Sequence, residues 1–126
     1  MKTLEKHVDQ RGLLLEILKA NEITEDMKQV YFSISKPGAV RGNHYHTRKI
    51  EWFSVVKGTA KMICEDNDTK ERTEIILTDD KPTVVKVSPP VSHALQNIGN
   101  EDMYLIVVAN EVFDPKDADT YRVNLV

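Results

Sequence analysis

Residues 37–51 read PGAVRGNHYHTRKIE and place two histidines and a glutamate in one short, glycine-flanked stretch. His44 and His46 are two positions apart, so both imidazoles project from one face if the segment is a β-strand. Glu51 follows after a short turn and begins the next predicted strand. If the two strands are adjacent and antiparallel, its carboxylate meets both imidazoles. The spacing therefore predicts that these three side chains converge.

A third histidine, His93, begins a later predicted strand and completes a candidate ligand set. Three imidazoles and one carboxylate suit zinc, iron, manganese, nickel or copper. The residue types do not identify the metal, because any such site binds the divalent first-row metals in the same general order of affinity. The alternative is a pair of surface histidines with an unrelated third. The flanking glycines, the glutamate and the later histidine together favour a metal site formed by His44, His46, Glu51 and His93.

Composition narrows the class of protein further. The chain has 126 residues, 17 basic and 20 acidic side chains, and a formal net charge of −3. This length predicts one domain spanning residues 1–126, and the mild acidity argues against a nucleic-acid partner, which demands a basic face. The single cysteine, Cys64, excludes an internal disulfide and favours a reducing compartment. No apolar run is long enough to span a membrane, and Glu16 interrupts the apolar Leu13–Leu15 run before a signal-peptide core can form. We therefore expect a cytoplasmic protein without a membrane partner.

Short β-rich runs separated by turn residues make up the rest of the chain. Gln29–Ser35 alternates strictly, so that Tyr31, Ser33 and Ser35 share one polar face. Further strands are predicted at 39–46, 51–56, 59–65, 71–78, 83–87, 93–97 and 103–109. Only Thr24–Lys28 and Asp114–Ala118 favour a helical turn. Many short strands at this spacing predict an all-β sandwich or barrel.

The glycine and histidine spacing carries a family resemblance. The pattern Gly38-(x5)-His44-x-His46-(x4)-Glu51-(x6)-Gly58 resembles the first motif of the cupin superfamily throughout. The second cupin motif, Pro-x-Gly-(x2)-His-(x3)-Asn, is matched at His93 and Asn97. It is not matched in the preceding turn, where Ser88 replaces the proline and Pro90 the glycine. The resemblance implies a single cupin barrel, that is, a double-stranded β-helix or jelly roll.

Three segments extend the resemblance to nearly the whole chain: Asp9–Gly12, Lys36–His46 and Asn110–Tyr121. They are similar to the C-terminal cupin domain of the CapF family of capsular polysaccharide biosynthesis proteins. In that family the cupin domain binds zinc and epimerises carbon 3 of a UDP-linked 4-keto-6-deoxy amino sugar, and a separate reductase domain then reduces the ketone. The resemblance implies an isomerase of surface polysaccharide synthesis with a divalent metal, zinc being favoured. Because the sequence has no reductase segment, we expect a stand-alone version.

The Arg41–His44 core also resembles two groups that act on dTDP-linked 4-keto sugars, the 3,5-epimerases and the WxcM-like 3,4-ketoisomerases. Neither group is known to need a metal, and their histidines act in proton transfer. All these reactions begin by removing a proton next to a ketone, which requires a base and a stabilised oxyanion.

Two assignments of the catalytic roles stay open. In one, a metal polarises the ketone and the base comes from Lys49, Tyr45 or Tyr104. In the other, His44 and His46 are the acid and base and no metal is essential. The presence of four residues of ligand type favours the first assignment.

Substrate contacts are predicted around the same stretch. Arg41 is expected to clamp the nucleotide diphosphate or stabilise the enolate, the alternative being a surface ion pair. Asn43 is expected to donate to a sugar oxygen. Gln29 and Tyr31 belong to the polar strand face, which either lines a ligand cavity or faces solvent.

The assembly and two rival functions complete the predictions. Related sugar-nucleotide cupins pair through their N-terminal strands, so the resemblance implies a homodimer, with Leu13–Leu15 as the support within this sequence. Two rivals from other classes remain. One is a metal-dependent oxygenase with the same ligand set, and the other is a non-catalytic sugar-binding cupin.

Overall fold

The computed structural model describes residues 1–126 and is built almost entirely of short strands. The twelve strands are β1 (Lys2–Thr3), β2 (His7–Asp9), β3 (Gly12–Leu14), β4 (Gln29–Ser35), β5 (Val40–Tyr45), β6 (Glu51–Lys57), β7 (Thr59–Asp66), β8 (Arg72–Thr78), β9 (Thr83–Val87), β10 (Val91–Asn97), β11 (Met103–Ala109) and β12 (Tyr121–Arg122). The single helical element is a 3₁₀ turn, Ala20–Glu22. No helix has the length and apolar character needed to cross a membrane.

Two five-stranded antiparallel sheets form the barrel. Sheet I has the order β1-β9-β6-β11-β4, and sheet II has the order β12-β5-β10-β7-β8. Strands β2 and β3 form a separate hairpin that joins neither sheet. The arrangement confirms the predicted all-β fold.

The core fills the space between the two sheets. Eleven buried apolar side chains pack together there: Phe53, Val55, Ala60, Met62, Leu77, Val85, Val87, Leu95, Met103, Leu105 and Val107. They come mainly from alternate positions of the central strands, as expected when one face of each sheet is buried. A smaller cluster around Trp52 lies on the outer face of sheet I and is covered by Ile17, Leu18 and Ile23.

The predicted helical turn at Thr24–Lys28 does not form. The backbone N–H of Lys28 donates to the carbonyl of Ala109 at 2.9 Å. This bond extends the β4–β11 pairing by one residue and holds the end of the segment in an extended conformation. In Asp114–Ala118, a tight turn forms with a hydrogen bond from the Asp117 N–H to the Asp114 carbonyl at 3.0 Å.

Strand pairing brings the distant histidine to the first motif. His93 of β10 is the register partner of His44 of β5, and the register shifts at the next residue, where Ala94 pairs with Gly42. The turn before β10 closes with a hydrogen bond from the Val91 N–H to the Ser88 carbonyl at 3.1 Å. The departures from the second cupin motif at Ser88 and Pro90 therefore do not prevent His93 from reaching His44.

Candidate metal centre and active site

The four predicted ligands converge in the structure. One side-chain ligand atom from each of His44, His46, Glu51 and His93 lies within 4.8 Å of all the others. His46, Glu51 and His93 are buried, whereas His44 is half-buried. The His44 and His93 rings are in edge contact, with centroids 4.6 Å apart. Strands β5, β6 and β10 thus contribute His44, Glu51 and His93, and His46 directly follows the last residue of β5.

Glu51 is the acceptor at the centre of this cluster. Its Oε2 accepts a hydrogen bond from the Tyr31 hydroxyl at 2.6 Å, and its Oε1 lies 2.8 Å from His46 Nε2. His93 Nε2 is 3.7 Å from the same Oε1. Burial alone would raise the pKa of Glu51, but the hydrogen bonds from His46 and Tyr31 and the neighbouring histidines lower it to about 2. The carboxylate is therefore ionised, as a metal ligand must be.

The tautomer of His46 follows from its other neighbour. Its Nδ1 lies 2.6 Å from the backbone carbonyl of Asp119. A carbonyl only accepts, so Nδ1 carries a proton. Nε2 donates in turn to the Glu51 carboxylate, and a cation bound at this position would take the place of that proton. Burial lowers the pKa of His46, but the hydrogen bonds to Glu51 and Asp119 outweigh burial and raise it above the ordinary value.

The other two imidazoles are held neutral. Burial lowers the pKa of His93 to about 3, and burial followed by the charge of His46 lowers the pKa of His44. The ring of Phe53 lies against His93, with centroids 5.0 Å apart. His93 Nδ1 is buried without a hydrogen-bond partner. Neutral imidazoles are the form that binds transition metals.

The residues present fit a divalent transition metal. Zinc bonds to nitrogen and oxygen of about 2.0–2.1 Å place neighbouring tetrahedral ligands roughly 3.4 Å apart, and the observed atoms span 4.8 Å or less. Small side-chain movements would complete the coordination sphere: the most distant of these atoms would approach one another, and His46 Nε2 and Glu51 Oε1, 2.8 Å apart, would separate. The donor set of three nitrogens and one oxygen does not distinguish zinc from iron, manganese or nickel.

A cavity of about 250 Å³ adjoins the cluster. Its lining combines polar and apolar side chains: Tyr31, Ser33, Arg41, Gly42, His44, Phe53, His93, Leu95, Leu105 and Val107. The Ser33 hydroxyl is buried and has no partner within the protein. The volume lies below the range of about 300–1,000 Å³ that holds whole drug-sized ligands, so it suits one sugar ring rather than an entire nucleotide sugar.

Tyr31 and Arg41 are the two predicted substrate contacts that reach this cavity. The polar face of β4 therefore faces inward. Arg41 donates from Nε to the Ser35 hydroxyl at 2.6 Å and from Nη2 to the Ile34 carbonyl at 3.0 Å. These bonds fix the guanidinium and leave further N–H donors for an anion.

Gln29 and Asn43 are not brought to the cavity. The Gln29 side-chain oxygen accepts from the Phe113 N–H at 2.6 Å. The Asn43 side-chain oxygen accepts from the N–H groups of Leu125 and Val126 at 3.1 and 3.2 Å. Both side-chain oxygens accept from backbone N–H groups of the C-terminal segment, and neither side chain lines the cavity.

The three predicted bases also lie away from the cavity. Tyr104 alternates with the cavity residue Leu105, so it projects from the outer face of sheet I, where it contacts Phe32. Tyr45 alternates with the two histidines and stacks on Tyr121, with centroids 5.3 Å apart. Lys49 is buried, and its ammonium lies 5.5 Å from the centroid of the Phe113 ring.

Two residues beside the cluster have no predicted role in the sequence. Phe53 forms part of the cavity wall and packs on His93. Asp119 contacts His46 and the turn between the two motif strands. The sequence gives no signal for either contact, because one residue is an ordinary core aromatic and the other lies more than 70 positions from the histidine that it contacts.

Comparison with known proteins places the chain in a family. Residues 7–121 match the family model described as polysaccharide biosynthesis C-terminal domain. Over 115 residues the chain is 39% identical to UDP-2-acetamido-2,6-beta-L-arabino-hexul-4-ose reductase from Pseudomonas aeruginosa, covering 91% of this chain and 30% of that protein.

Two solved structures extend the comparison. The capsular polysaccharide assembling protein CapF from Staphylococcus aureus superposes with a TM-score of 0.76 at 38% identity, over 97% of this chain and 34% of CapF. A double mutant of the 3,4-ketoisomerase QdtA from Thermoanaerobacterium thermosaccharolyticum, in complex with TDP, superposes with a TM-score of 0.78 at 26% identity, over 96% of this chain and 84% of QdtA.

These matches differ in how much of the relative they include. The chain spans about a third of the length of the Pseudomonas reductase and of CapF, and most of the length of QdtA. The resemblance deduced from the sequence is confirmed, and so is the cupin barrel. The chain belongs to the polysaccharide biosynthesis C-terminal domain family and is similar to the C-terminal cupin domain of CapF.

Proposed function

We propose that this protein is an isomerase that epimerises carbon 3 of a nucleotide-linked 4-keto-6-deoxy sugar in surface polysaccharide synthesis. The observation that carries the proposal is the cluster of His44, His46, Glu51 and His93 at the wall of a cavity sized for one sugar ring. The relative from Pseudomonas aeruginosa is named for a UDP-linked hexul-4-ose, which is a sugar with a ketone at carbon 4. A ketone at this position acidifies the proton on carbon 3.

The cavity residues suit this reaction. Arg41, fixed by Ser35 and Ile34, supplies a localised positive charge for the enolate oxygen or the diphosphate. Leu95, Leu105 and Val107 form an apolar wall that excludes water beside the reacting carbon. When bound, a divalent cation held by the His/Glu cluster would polarise the ketone and stabilise the charge of the enolate.

Tyr31 is the acid–base group on the cavity wall that lies outside the ligand set. Its burial, and then its proximity to the Glu51 carboxylate, raise its pKa above the ordinary value. The hydroxyl therefore stays protonated at neutral pH and suits the return of a proton to carbon 3. Epimerisation moves the proton of carbon 3 to a base on one face and returns a proton from Tyr31 to the opposite face. Exchange with water then restores both groups.

A 3,4-ketoisomerase that needs no metal is the second candidate. His44 lines the cavity and has a lowered pKa, so it is neutral and able to accept a proton. His46 lies behind it, bonded to Glu51 and Asp119. In this alternative His44 is the group that removes the proton, and the similarity to QdtA supports it.

The test is NMR of UDP- and dTDP-linked 4-keto-6-deoxy sugars incubated with the zinc-loaded protein in deuterated water. We expect deuterium to appear at carbon 3, and the product spectrum separates the epimer from the ketoisomer. His44→Asn and Tyr31→Phe should slow the exchange by about 10²–10⁴-fold. Tyr104→Phe is the matched tyrosine control, because that ring lies outside the cavity.

Other results would contradict the isomerase assignment. Tight binding of a nucleotide sugar without any exchange, from folded and metal-loaded protein, would instead identify a sugar-binding cupin. Oxygen consumption by the iron-loaded protein would identify an oxygenase. If deuterium still appears at carbon 3 with the His44→Asn variant, the reaction takes place outside this cavity.

We also propose that the protein works as a homodimer that pairs through its N-terminal hairpin. The support is the exposure of Val8, Leu13 and Leu14 on a hairpin that joins neither sheet. A two-stranded hairpin on its own is marginally stable in water, so a partner surface would stabilise it.

A further inference from the structure

Asp119 connects the C-terminal segment to the turn between β5 and β6. It is buried and adopts a left-handed backbone conformation with a φ of 48°. This conformation is uncommon for residues other than glycine, although aspartate and asparagine adopt it more readily than most. Its carboxylate and its carbonyl both point to the residues between the two motif strands, so one residue makes two kinds of contact.

The carboxylate closes the turn that separates His46 from Glu51. Its Oδ1 accepts from the N–H of Thr47 at 2.9 Å and from the Thr47 hydroxyl. Its Oδ2 accepts from the N–H groups of Arg48 and Lys49 at 2.8 and 3.1 Å. Three consecutive backbone donors are thereby fixed by a single side chain. The path of the chain between the two ligands depends on it.

The carbonyl of Asp119 acts directly on His46. It accepts the proton of Nδ1 at 2.6 Å, which makes Nδ1 a donor and fixes the plane of the ring. The histidine then presents Nε2 toward Glu51, 2.8 Å away. Metal-binding histidines are commonly oriented by an acceptor at their second nitrogen, and loss of that partner weakens metal binding.

We propose that Asp119 is a positioning residue that orients His46 and spaces it from Glu51 for cation binding. The inference rests on the metal-binding part of the proposed function and adds a residue to it. Asp119 touches neither the cavity nor the ligand position. It acts through the imidazole and through the three backbone N–H groups of residues 47–49.

Two variants and one matched control test the proposal. Asp119→Asn tolerates the left-handed conformation but replaces one acceptor oxygen with an N–H₂ that faces backbone donors. Asp119→Gly also tolerates the conformation and removes every carboxylate contact. Asp66→Ala is the control, because it removes the acceptor of two backbone N–H groups, those of Asp68 and Thr69, in the β7–β8 turn.

Zinc affinity is measured by competition with a chelator, beside urea unfolding of the metal-free proteins. We expect both Asp119 variants to bind zinc about 10- to 100-fold more weakly than wild type. Asp66→Ala should lose stability in urea but keep wild-type zinc affinity. Wild-type affinity in folded Asp119→Asn and Asp119→Gly would overturn the proposal.

A second measurement separates this proposal from the proposed metal site. Nitrogen-15 NMR of the histidine rings, on metal-free protein at one fixed pH, should show the His46 Nδ1 proton in slow exchange with water. If wild type fails to bind zinc, the metal site is wrong and the ring spectrum decides about Asp119. Asp119→Gly keeps the backbone carbonyl but loses the carboxylate that holds it in place. Loss of the protected proton in this variant would support positioning of His46, whereas an unchanged His46 signal would refute it.

Discussion

At the scale of single residues, Gly42 illustrates how closely the two histidine strands approach each other. Its φ is 90°, and a Cβ at this position would lie 2.8 Å from the His93 carbonyl and 3.1 Å from the Ala94 Cα. Both neighbours are backbone atoms of β10, which cannot rotate away. The register shift between His93 and Ala94 occurs opposite this glycine, so the absence of a side chain lets β5 and β10 meet where the His/Glu cluster forms.

Gly42→Ala should therefore lower the free energy of unfolding through two costs. The left-handed backbone costs about 1–3 kcal/mol, and the forced displacement of β10 adds a similar amount. Gly38→Ala is the matched control, because its φ is 83° but no atom lies within 4 Å of the added Cβ. Urea unfolding of the two variants should show Gly42→Ala to be less stable than Gly38→Ala by at least about 1 kcal/mol. Equal losses would mean that β10 moves without cost.

At the scale of elements, the C-terminal segment 110–126 organises the end of the barrel that carries the cluster. Asn110 exchanges hydrogen bonds with Ile50, and Arg48 pairs with Glu111 and Asp117. Asp119 closes the β5–β6 turn, and Asn43 holds the last two residues. The β5–β6 turn that links His46 to Glu51 is thus supported by residues that follow it by some 60 to 80 positions.

This segment also marks the limit of prediction from sequence. The periodicity of two places His44 beside His46 and sets the polar face of β4, because strand geometry alone fixes those relations. The partners of Gln29 and Asn43 are backbone N–H groups, which every residue carries, so no side-chain pattern reveals them. The same holds for the carbonyl that orients His46. Strand alternation also predicts that Tyr104 and Tyr45 point away from the cavity, but only after the inward face of each strand is known.

Asn43 provides the prediction for this element. Asn43→Gly keeps the left-handed conformation, which has a φ of 58°, but removes the acceptor for the Leu125 and Val126 N–H groups. Two lost hydrogen bonds should lower the free energy of unfolding by about 1–3 kcal/mol. The KM of the proposed reaction should not change, because the side chain lies outside the cavity. Asn43→Asp keeps the acceptor oxygen and serves as the control.

Urea unfolding and steady-state kinetics of these two variants together check the assignment. A loss of stability in Asn43→Gly alone agrees with a structural role for the side chain. If the KM rises in both variants and the free energy of unfolding is unchanged, Asn43 is a substrate contact, as expected from the sequence.

At the scale of the whole molecule, two apolar surfaces are left without a partner. The outer face of β4, the edge strand of sheet I, exposes Val30, Phe32 and Ile34. The β2–β3 hairpin exposes Leu13 and Leu14, which are more than half accessible to solvent. An edge strand with an apolar face is a site for association, and the hairpin has no sheet of its own to join. A homodimer interface that covered both surfaces would remove both of them from water.

The homodimer is tested by light scattering coupled to size-exclusion chromatography. Wild type should elute as a dimer, and the double variant Leu13→Ser/Leu14→Ser should shift toward monomer, since each buried leucine contributes about 1.5–3 kcal/mol. Phe32→Ser tests whether the β4 face takes part. Ile76→Ser is the control. Ile76 is 55% exposed, but it lies on β8, an edge strand of sheet II, and so belongs to neither apolar surface. A monomeric wild type would refute the dimer, and a dimer that survives both leucine changes would exclude the hairpin as its interface.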